Sequence, residues 1–306
     1  MNTDYIATVQ LLLNIAPVIF QSPRFAMKGG TALNLFVQDL PRLSVDIDVV
    51  FVPHQPERDE ALRLIGEDLN AAKSQLGAMG YGADVRTTKT GDEVKLFVFD
   101  ERSQVKVEVN FVFRGTLYPP VLAELSVKAQ DLFSLSVRLP TLAVSELYGG
   151  KLVAAMDRQH PRDLFDVLQM NEKFGMPHSF VDSFVAYLAG HNRPVHEVLF
   201  ANPMPLEAVF KSEFQGMTAQ PIELQKLLDT RELLFKALPL ALADHHKKFL
   251  LSLVQGKPQW NLMPYAHLQK LPALKWKVLN LAKLKKTNRQ RFDQQYEFLS
   301  KRFETL

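Results

Sequence analysis

Asp46 and Asp48 stand two apart in the run "SVDIDVVF", and the rest of that run is almost entirely apolar. In a strand, residues two apart share a face, so both carboxylates point to one side while Val45, Ile47 and Val49 point into the core. Carboxylates buried in this way cost several kcal/mol, on the order of 3 or more each, unless they are paired or hold a cation. The later stretch "KVEVNF" repeats the alternation, with Lys106, Glu108 and Asn110 on one face and Val107, Val109 and Phe111 on the other. If the two strands are neighbours, Asp46, Asp48 and Glu108 converge. Like charges so placed raise one another's pKa, and a divalent cation removes the conflict. A set of oxygen donors with no His or Cys beside them points to Mg²⁺ or Mn²⁺ as the metal, with Asp46, Asp48 and Glu108 as its ligands. Magnesium completes its shell with water and substrate phosphates, which invites a nucleotide.

A phosphate-binding element precedes the strand. In "MKGGTALNL", Gly29 and Gly30 let the backbone approach a phosphate, Thr31 adds a hydroxyl, and the start of the following helix attracts anions. The Walker spacing is absent. Lys28 before the turn, and Arg42 and Ser44 at the entry to the strand, join these residues as candidate nucleotide contacts. For Arg42 and Ser44, shaping the turn is the main role.

The elements that position these groups follow from periodicity. Helical spacing runs from Thr31 to Gln38 and Pro41 breaks it. "SVDIDVVFVP" is a strand, and Glu57 to Met79 is a helix ending at Gly80. "DEVKLFVFD" and "QVKVEVNFVF", joined by Glu101, Arg102 and Ser103, form a hairpin. Beyond Pro140 the pattern turns helical: "TLAVSELYGGKLVAAMD" is one helix and Pro161 opens the next. The expected architecture is α+β, a mixed sheet with flanking helices over residues 1–140, followed by an α-helical domain over 141–306.

Composition bounds the function classes. At 306 residues, 47% hydrophobic and 23% charged, the chain is an ordinary globular protein with room for a large core. With no cysteine, disulfide frameworks, thiolate metal sites and thiol catalysis are all excluded. The first twenty residues read as an amphipathic helix without a basic leader, and no apolar run is long enough to cross a bilayer. The expectation is a soluble, cytoplasmic protein. A net charge of +3 says little, but from Lys270 onward Lys and Arg greatly outnumber acids. Lys275, Lys277, Lys283, Lys285, Lys286, Arg289 and Arg291 are expected to form a basic helical surface for a polyanion, with Leu279, Leu281 and Leu284 facing the core. A solvated helical face is the plainer alternative.

The Gly-Gly-Thr turn, helix and Asp-x-Asp strand resemble the DNA polymerase β type of nucleotidyltransferase. More narrowly, "KGGTALNL", "RLSVDIDVVF" and "SELYGGKLVAAMDRQHPRDLFDV" resemble the AbiEii/AbiGii family, the nucleotidyltransferase toxins of type IV toxin–antitoxin pairs, over about residues 25–170. The resemblance implies nucleotide transfer from a nucleoside triphosphate, with the 3′ end of tRNA as acceptor in some members, and a cognate antitoxin as partner. It places Gly29, Gly30 and Thr31 at the phosphate, Asp46 and Asp48 on metal, Lys151 near the triphosphate, and Asp166 as the late acidic residue of the last motif.

Each residue also has a structural reading. Asp46 and Asp48 could be an exposed edge-strand pair, and Lys151 a surface lysine. Arg162 and Asp166, four apart, could form a helix salt bridge, and Asp163 could serve the helix dipole. Asp157 and Arg158 could cap and link two helices, and His160 is taken as structural. Transfer to a protein or small-molecule acceptor, and a non-enzymatic nucleotide- or partner-binding module, are the rival functions.

Overall fold

The computed structural model describes residues 3–87, 93–111 and 113–306. The chain divides into two compact units, Met1–Leu147 with Phe214–Ile222, and Tyr148–Glu213 with Glu223–Leu306.

The first unit is built on a mixed sheet of seven strands: β1 (Phe25–Lys28), β2 (Asp46–Phe51), β3 (Gly82–Thr87), β4 (Glu93–Phe99), β5 (Gln104–Asn110), β6 (Val121–Glu124) and β7 (Arg138–Thr141). Their order is β3-β4-β5-β2-β1-β7-β6. The strand carrying Asp46 and Asp48 is therefore interior, antiparallel to β1 on one side and parallel to β5 on the other. Strands β4 and β5 form the expected antiparallel hairpin. Two residues of the expected hairpin, Asp92 and Val112, lie outside the described residues.

Alternation decides which face is core. Ile47, Val49, Val105 and Val107 are fully buried, whereas Asp46, Asp48, Lys106 and Glu108 are half-buried on the opposite side. Helix Thr3–Ile19 packs on β2 and β5, and helix Arg58–Ala78 on β3 and β4. The latter presents Ala61, Ile65, Leu69, Ala72 and Leu76 at helical spacing, all buried. Burying each large aliphatic side chain contributes about 1.5–3 kcal/mol, which fixes the register of β2 and hence the face on which both carboxylates stand.

The helix after β1 is less regular than the sequence suggests. It begins as α at Gly29–Ala32, continues as a π turn over Leu33–Val37, and is followed by Leu40 in the left-handed region at φ 55°, just before Pro41. A branched-chain residue in that conformation is strained, so its neighbours must hold it. They do: Leu40 N–H donates to the Asn34 carbonyl at 3.1 Å, and segment 214–222 braces the next residues. Leu43 N–H donates to Met217 O at 3.0 Å and Ala219 N–H to Pro41 O at 2.8 Å, beside a bridge between Arg42 and Thr218. The turn that feeds β2 is thus tied down by chain from far along the sequence.

The second unit is helical. Helix Val144–Asp157 begins three residues later than the pattern suggests, because Thr141 closes β7. Pro161 occupies the first position of helix Pro161–Phe174 as expected, and His160 caps it, its Nδ1 accepting from Arg162 N–H at 3.1 Å. Helices His178–Gly190, Leu224–Leu240, Asp244–Val254, Pro272–Thr287 and Arg289–Glu304 complete most of the unit.

The C-terminal pattern needs correction. It breaks at Asn288 into two helices, and Lys277 is buried, donating to the carbonyls of His191 at 2.8 Å and Arg193 at 2.6 Å. Leu279 is 61% exposed while Leu281 is buried. Residues two apart on a helix point nearly opposite ways, so Leu279 and Leu281 cannot share a face. The buried row is Ala273, Leu274, Lys277 and Leu281.

Candidate active site

Strand β1 delivers the Gly-Gly turn to the carboxylates. Its last residue, Lys28, pairs in register with Asp48 of β2, so the chain leaves the sheet beside that aspartate. Gly29 then takes φ +74°, and a Cβ on it would lie 2.1 Å from Asp48 Oδ2. Both the conformation and the space require glycine here. Helix Gly29–Ala32 has no side-chain cap at its start, leaving backbone N–H groups of its first turn for another acceptor.

Gly30 lies against Arg42 and Ser44. A Cβ there would lie 2.7 Å from a guanidinium nitrogen of Arg42, which is 2% exposed and donates to the Leu43 carbonyl at 2.9 Å. Thr31 is fully buried. Its hydroxyl hydrogen-bonds to the backbone carbonyl of Asp46 and lies 2.9 Å from Ser44 Oγ. The single hydroxyl proton of Thr31 serves one of these two oxygens at a time. Thr31 thus ties the turn to the start of β2, Arg42 packs beside Gly30, and Asn34 adds a bond from its amide to the Gly30 carbonyl at 2.9 Å.

Strands β2 and β5 are neighbours, and Asp46 pairs with Lys106 and Asp48 with Glu108 in register. The three carboxylates accordingly lie on one face. They are not equivalent. Glu108 Oε1 lies 2.7 Å from Lys95 Nζ and 3.3 Å from Lys106 Nζ, while Lys106 stands 3.8 Å from Asp46. Burial works to raise the Glu108 pKa, but the Lys95 hydrogen bond and both lysine charges hold it below the usual carboxylate range. Lys95 lies opposite Glu108 in the hairpin, a pairing that the alternation of both strands encodes. Asp46 and Asp48 are an oxygen pair that could hold a hard divalent cation such as Mg²⁺ or Mn²⁺, with Lys106 standing at the longer distance from Asp46. Glu108 could join as a third ligand only by exchanging its lysine partners. The Asp pair is half-buried rather than sealed in the core, which spares it most of the desolvation cost.

The second unit holds a separate ionic cluster. Lys151 is 7% exposed, its ammonium 2.8 Å from Asp163 and 2.9 Å from Asp166, both carboxylates being almost fully buried. Asp163 also accepts from Arg158 Nε at 2.5 Å and Nη2 at 3.0 Å. Against the penalty of its complete burial, the charges of Lys151 and Arg158 and their hydrogen bonds hold the Asp163 carboxyl far below the usual range. Lys151 is not a surface lysine, and Asp163 does more than complement a helix dipole. Arg162 approaches Glu213 at 3.9 Å, and Asp157 pairs with Arg193 at 2.5 Å. The family resemblance singled out Lys151 and Asp166, but not the paired roles of Asp163 and Arg158 or of Lys95 and Lys106. Their signal was charge complementarity between successive helices and across neighbouring strands, visible only once the helix packing and the register are known.

Among the described residues no helix is long and apolar enough to cross a membrane. Comparison with functionally curated proteins finds no significant match. Among solved structures, the chain is similar to the nucleotidyltransferase toxin MenT4 of Mycobacterium tuberculosis, with a TM-score of 0.62 and 17% identity over 92% of this chain and 95% of that one. At that identity the likeness establishes the fold, a nucleotidyltransferase-type mixed sheet followed by helices. Residues 10–280 match the family described as Nucleotidyl transferase AbiEii toxin, Type IV TA system. The match takes in the Gly-Gly turn, the Asp-x-Asp strand and the Lys151 cluster, and the chain belongs to this family of nucleotidyltransferase toxins.

Proposed function

We propose that this protein is a Mg²⁺- or Mn²⁺-dependent nucleotidyltransferase that moves a nucleotide from a nucleoside triphosphate to an RNA acceptor, the 3′ end of tRNA being the acceptor that the family suggests. A cognate antitoxin is its expected partner and the cytoplasm its place of action. The observation that supports this best is the pairing of Asp46 and Asp48 on one face of an interior strand, with the Gly29 backbone against Asp48.

Asp46 and Asp48 would hold the metal, which when bound neutralises triphosphate charge and favours ionisation of an acceptor hydroxyl. The chain's own residues supply position. The uncapped turn at Gly29 and Gly30 offers backbone N–H groups to phosphate oxygens, and Lys28 adds a cation at its edge. Arg42, Ser44 and Thr31 hold that turn at a fixed distance from β2. Lys95 and Lys106 orient Glu108 and keep like charge from accumulating beside Asp48. The acceptor oxygen bonds to the α-phosphorus as the α–β bridging bond breaks, and pyrophosphate leaves with the electron pair. Positioning of this kind is the main catalytic contribution expected of a phosphoryl- or nucleotidyl-transfer site. Lys151 and Asp166 serve as the family's late basic and acidic groups, held rigid by Asp163 and Arg158.

For the acceptor, the exposed Lys275, Lys283, Lys286 and Arg291, with half-exposed Lys285, provide a basic surface in the second unit. Arg289 is drawn into an ion pair with Asp293 at 2.7 Å, and Lys277 is withdrawn from the surface. Triphosphate labelled at the α position, incubated with the protein and total RNA, should leave label on RNA, whereas γ-labelled triphosphate should leave none. Label on protein, or γ-label on any acceptor, would refute RNA nucleotidyl transfer.

A further inference from the structure

Helix His178–Gly190 and helix Asp244–Val254, both in the second unit, bring three histidines around one carboxylate at a surface cavity. Asp182, His245 and His246 present donor atoms within 4.8 Å of one another, and His178 lines the same cavity. His178 and Asp182 are four apart on their helix and so project from one face, the spacing with which a helix chelates a metal. The cluster plays no part in the nucleotidyl-transfer site described above.

The distances separate the roles of the two neighbouring histidines. Two ligands each about 2.0–2.2 Å from a common tetrahedral ion lie about 3.3–3.6 Å apart. His245 Nε2 is 3.8 Å from Asp182 Oδ1, close to that spacing. His246 Nε2 is 2.7 Å from the same oxygen, which is a hydrogen-bond distance. The backbone agrees. Ala243 N–H points at His246 Nδ1 at 3.2 Å, so the ring proton sits on Nε2 and is donated to Asp182. His246 is 1% exposed and locked in place, an outer hydrogen-bond donor that orients the carboxylate. His245 and His178 are exposed, and His178 lines the cavity one helical turn from Asp182.

We propose that Asp182, His245 and His178 form a binding site for a zinc-class transition-metal ion, with His246 positioning Asp182, and that the ion ties the two helices together. Imidazole nitrogen with one carboxylate oxygen suits Zn²⁺ or Co²⁺, in contrast to the all-oxygen pair of Asp46 and Asp48. The site is independent of the catalytic reading.

The test uses full-length, tag-free, metal-stripped protein titrated with Zn²⁺ against a chromophoric chelator, with Co²⁺ absorption as the report of coordination and Mg²⁺ as the control. One equivalent of Zn²⁺ should bind and raise Tm, and Mg²⁺ should not compete. An Asp46→Ala/Asp48→Ala variant should keep that equivalent, which separates this ion from one at the Asp pair. His245→Ala, His178→Ala and Asp182→Asn should each weaken Zn²⁺ binding at least about tenfold and remove the Tm rise. The two histidines are exposed, so their loss should leave the fold intact. Absence of stoichiometric Zn²⁺ binding, or affinity within about twofold of wild type in His245→Ala, would overturn the proposal.

Discussion

Gly29 and Asp48 compete for one volume: the carboxylate of Asp48 occupies the place where a side chain on residue 29 would begin, 2.1 Å from its Cβ position. Gly29→Ala should therefore do two things. It should strain a backbone held at φ +74°, costing about 1–2 kcal/mol, and it should displace Asp48 from the position it holds beside Asp46. The expected result is a loss of transfer activity far larger than the loss of stability. Gly66→Ala is the control, since open space surrounds that position in helix Arg58–Ala78, and it should stabilise by about 0.5–1 kcal/mol with activity unchanged. Chemical denaturation and turnover measured on the same preparations check both.

Lys151 faces two buried carboxylates, so Lys151→Ala leaves Asp163 and Asp166 short of one cation. Breaking a buried ion pair from one side costs about 3–5 kcal/mol, and Arg158 offsets part of this at Asp163. The variant should lose stability as well as any growth-slowing effect on expressing bacteria. Lys151→Ala with Asp163→Asn should recover part of the stability without recovering activity, as read by thermal unfolding and growth curves.

Lys277 gives a pH dependence of definite sign. Burial pushes its ammonium down to about 8, against a smaller upward pull from Glu197. Between about pH 8 and pH 10.4 the unfolded chain keeps a proton there that the folded chain has released, so this residue makes stability rise with pH across that window. Relative to Lys277→Met, the wild type should gain about 2 kcal/mol between pH 7.5 and pH 10 in urea unfolding. The variant should also be less stable at high pH, because the His191 and Arg193 carbonyls lose their donor.

Much of this was legible in the sequence because alternation and burial coincide. β2, β4 and β5 declare themselves through Ile47, Leu96, Val98, Val105 and Val107, each buried between half-exposed or exposed neighbours, and through the buried run from Val49 to Phe51 that follows Asp48. The four-residue strands β1, β6 and β7 and the Gly-led β3 were missed. "FAMK" has no alternation and "RLPT" contains a proline, so these strands owe their existence to partners distant in sequence. The same holds within the site. Asp46, Asp48 and Gly29 were visible from spacing alone, whereas the packing of Arg42 beside Gly30 and the turning of Thr31 toward the strand depend on segment 214–222 and on register. Lys277 was misassigned to the surface because charge type alone does not reveal two carbonyls waiting at the end of a neighbouring helix.

Reversal of Lys285 and Lys286 to Glu tests the acceptor surface. Both lie in the last turn of helix Pro272–Thr287, where cations suit the helix dipole, so a small stability loss of about 0.3–1 kcal/mol per site is expected as well. If RNA is held there, its KM should rise, the triphosphate KM should hold, and the log–log salt slope should flatten by about 1–2. An unchanged slope would leave these lysines as a solvated face.

The central claim is that Asp46 and Asp48 carry nucleotidyl transfer. Transfer of α-labelled nucleotide to RNA by wild type, Asp46→Ala and Asp48→Ala, each shown by circular dichroism to be folded, tests it most directly. Transfer by the wild type should depend on Mg²⁺ or Mn²⁺ and should fall by more than about a hundredfold in each variant, equal to the loss of about 3 kcal/mol of transition-state stabilisation. Turnover near the wild-type rate in either variant would contradict it.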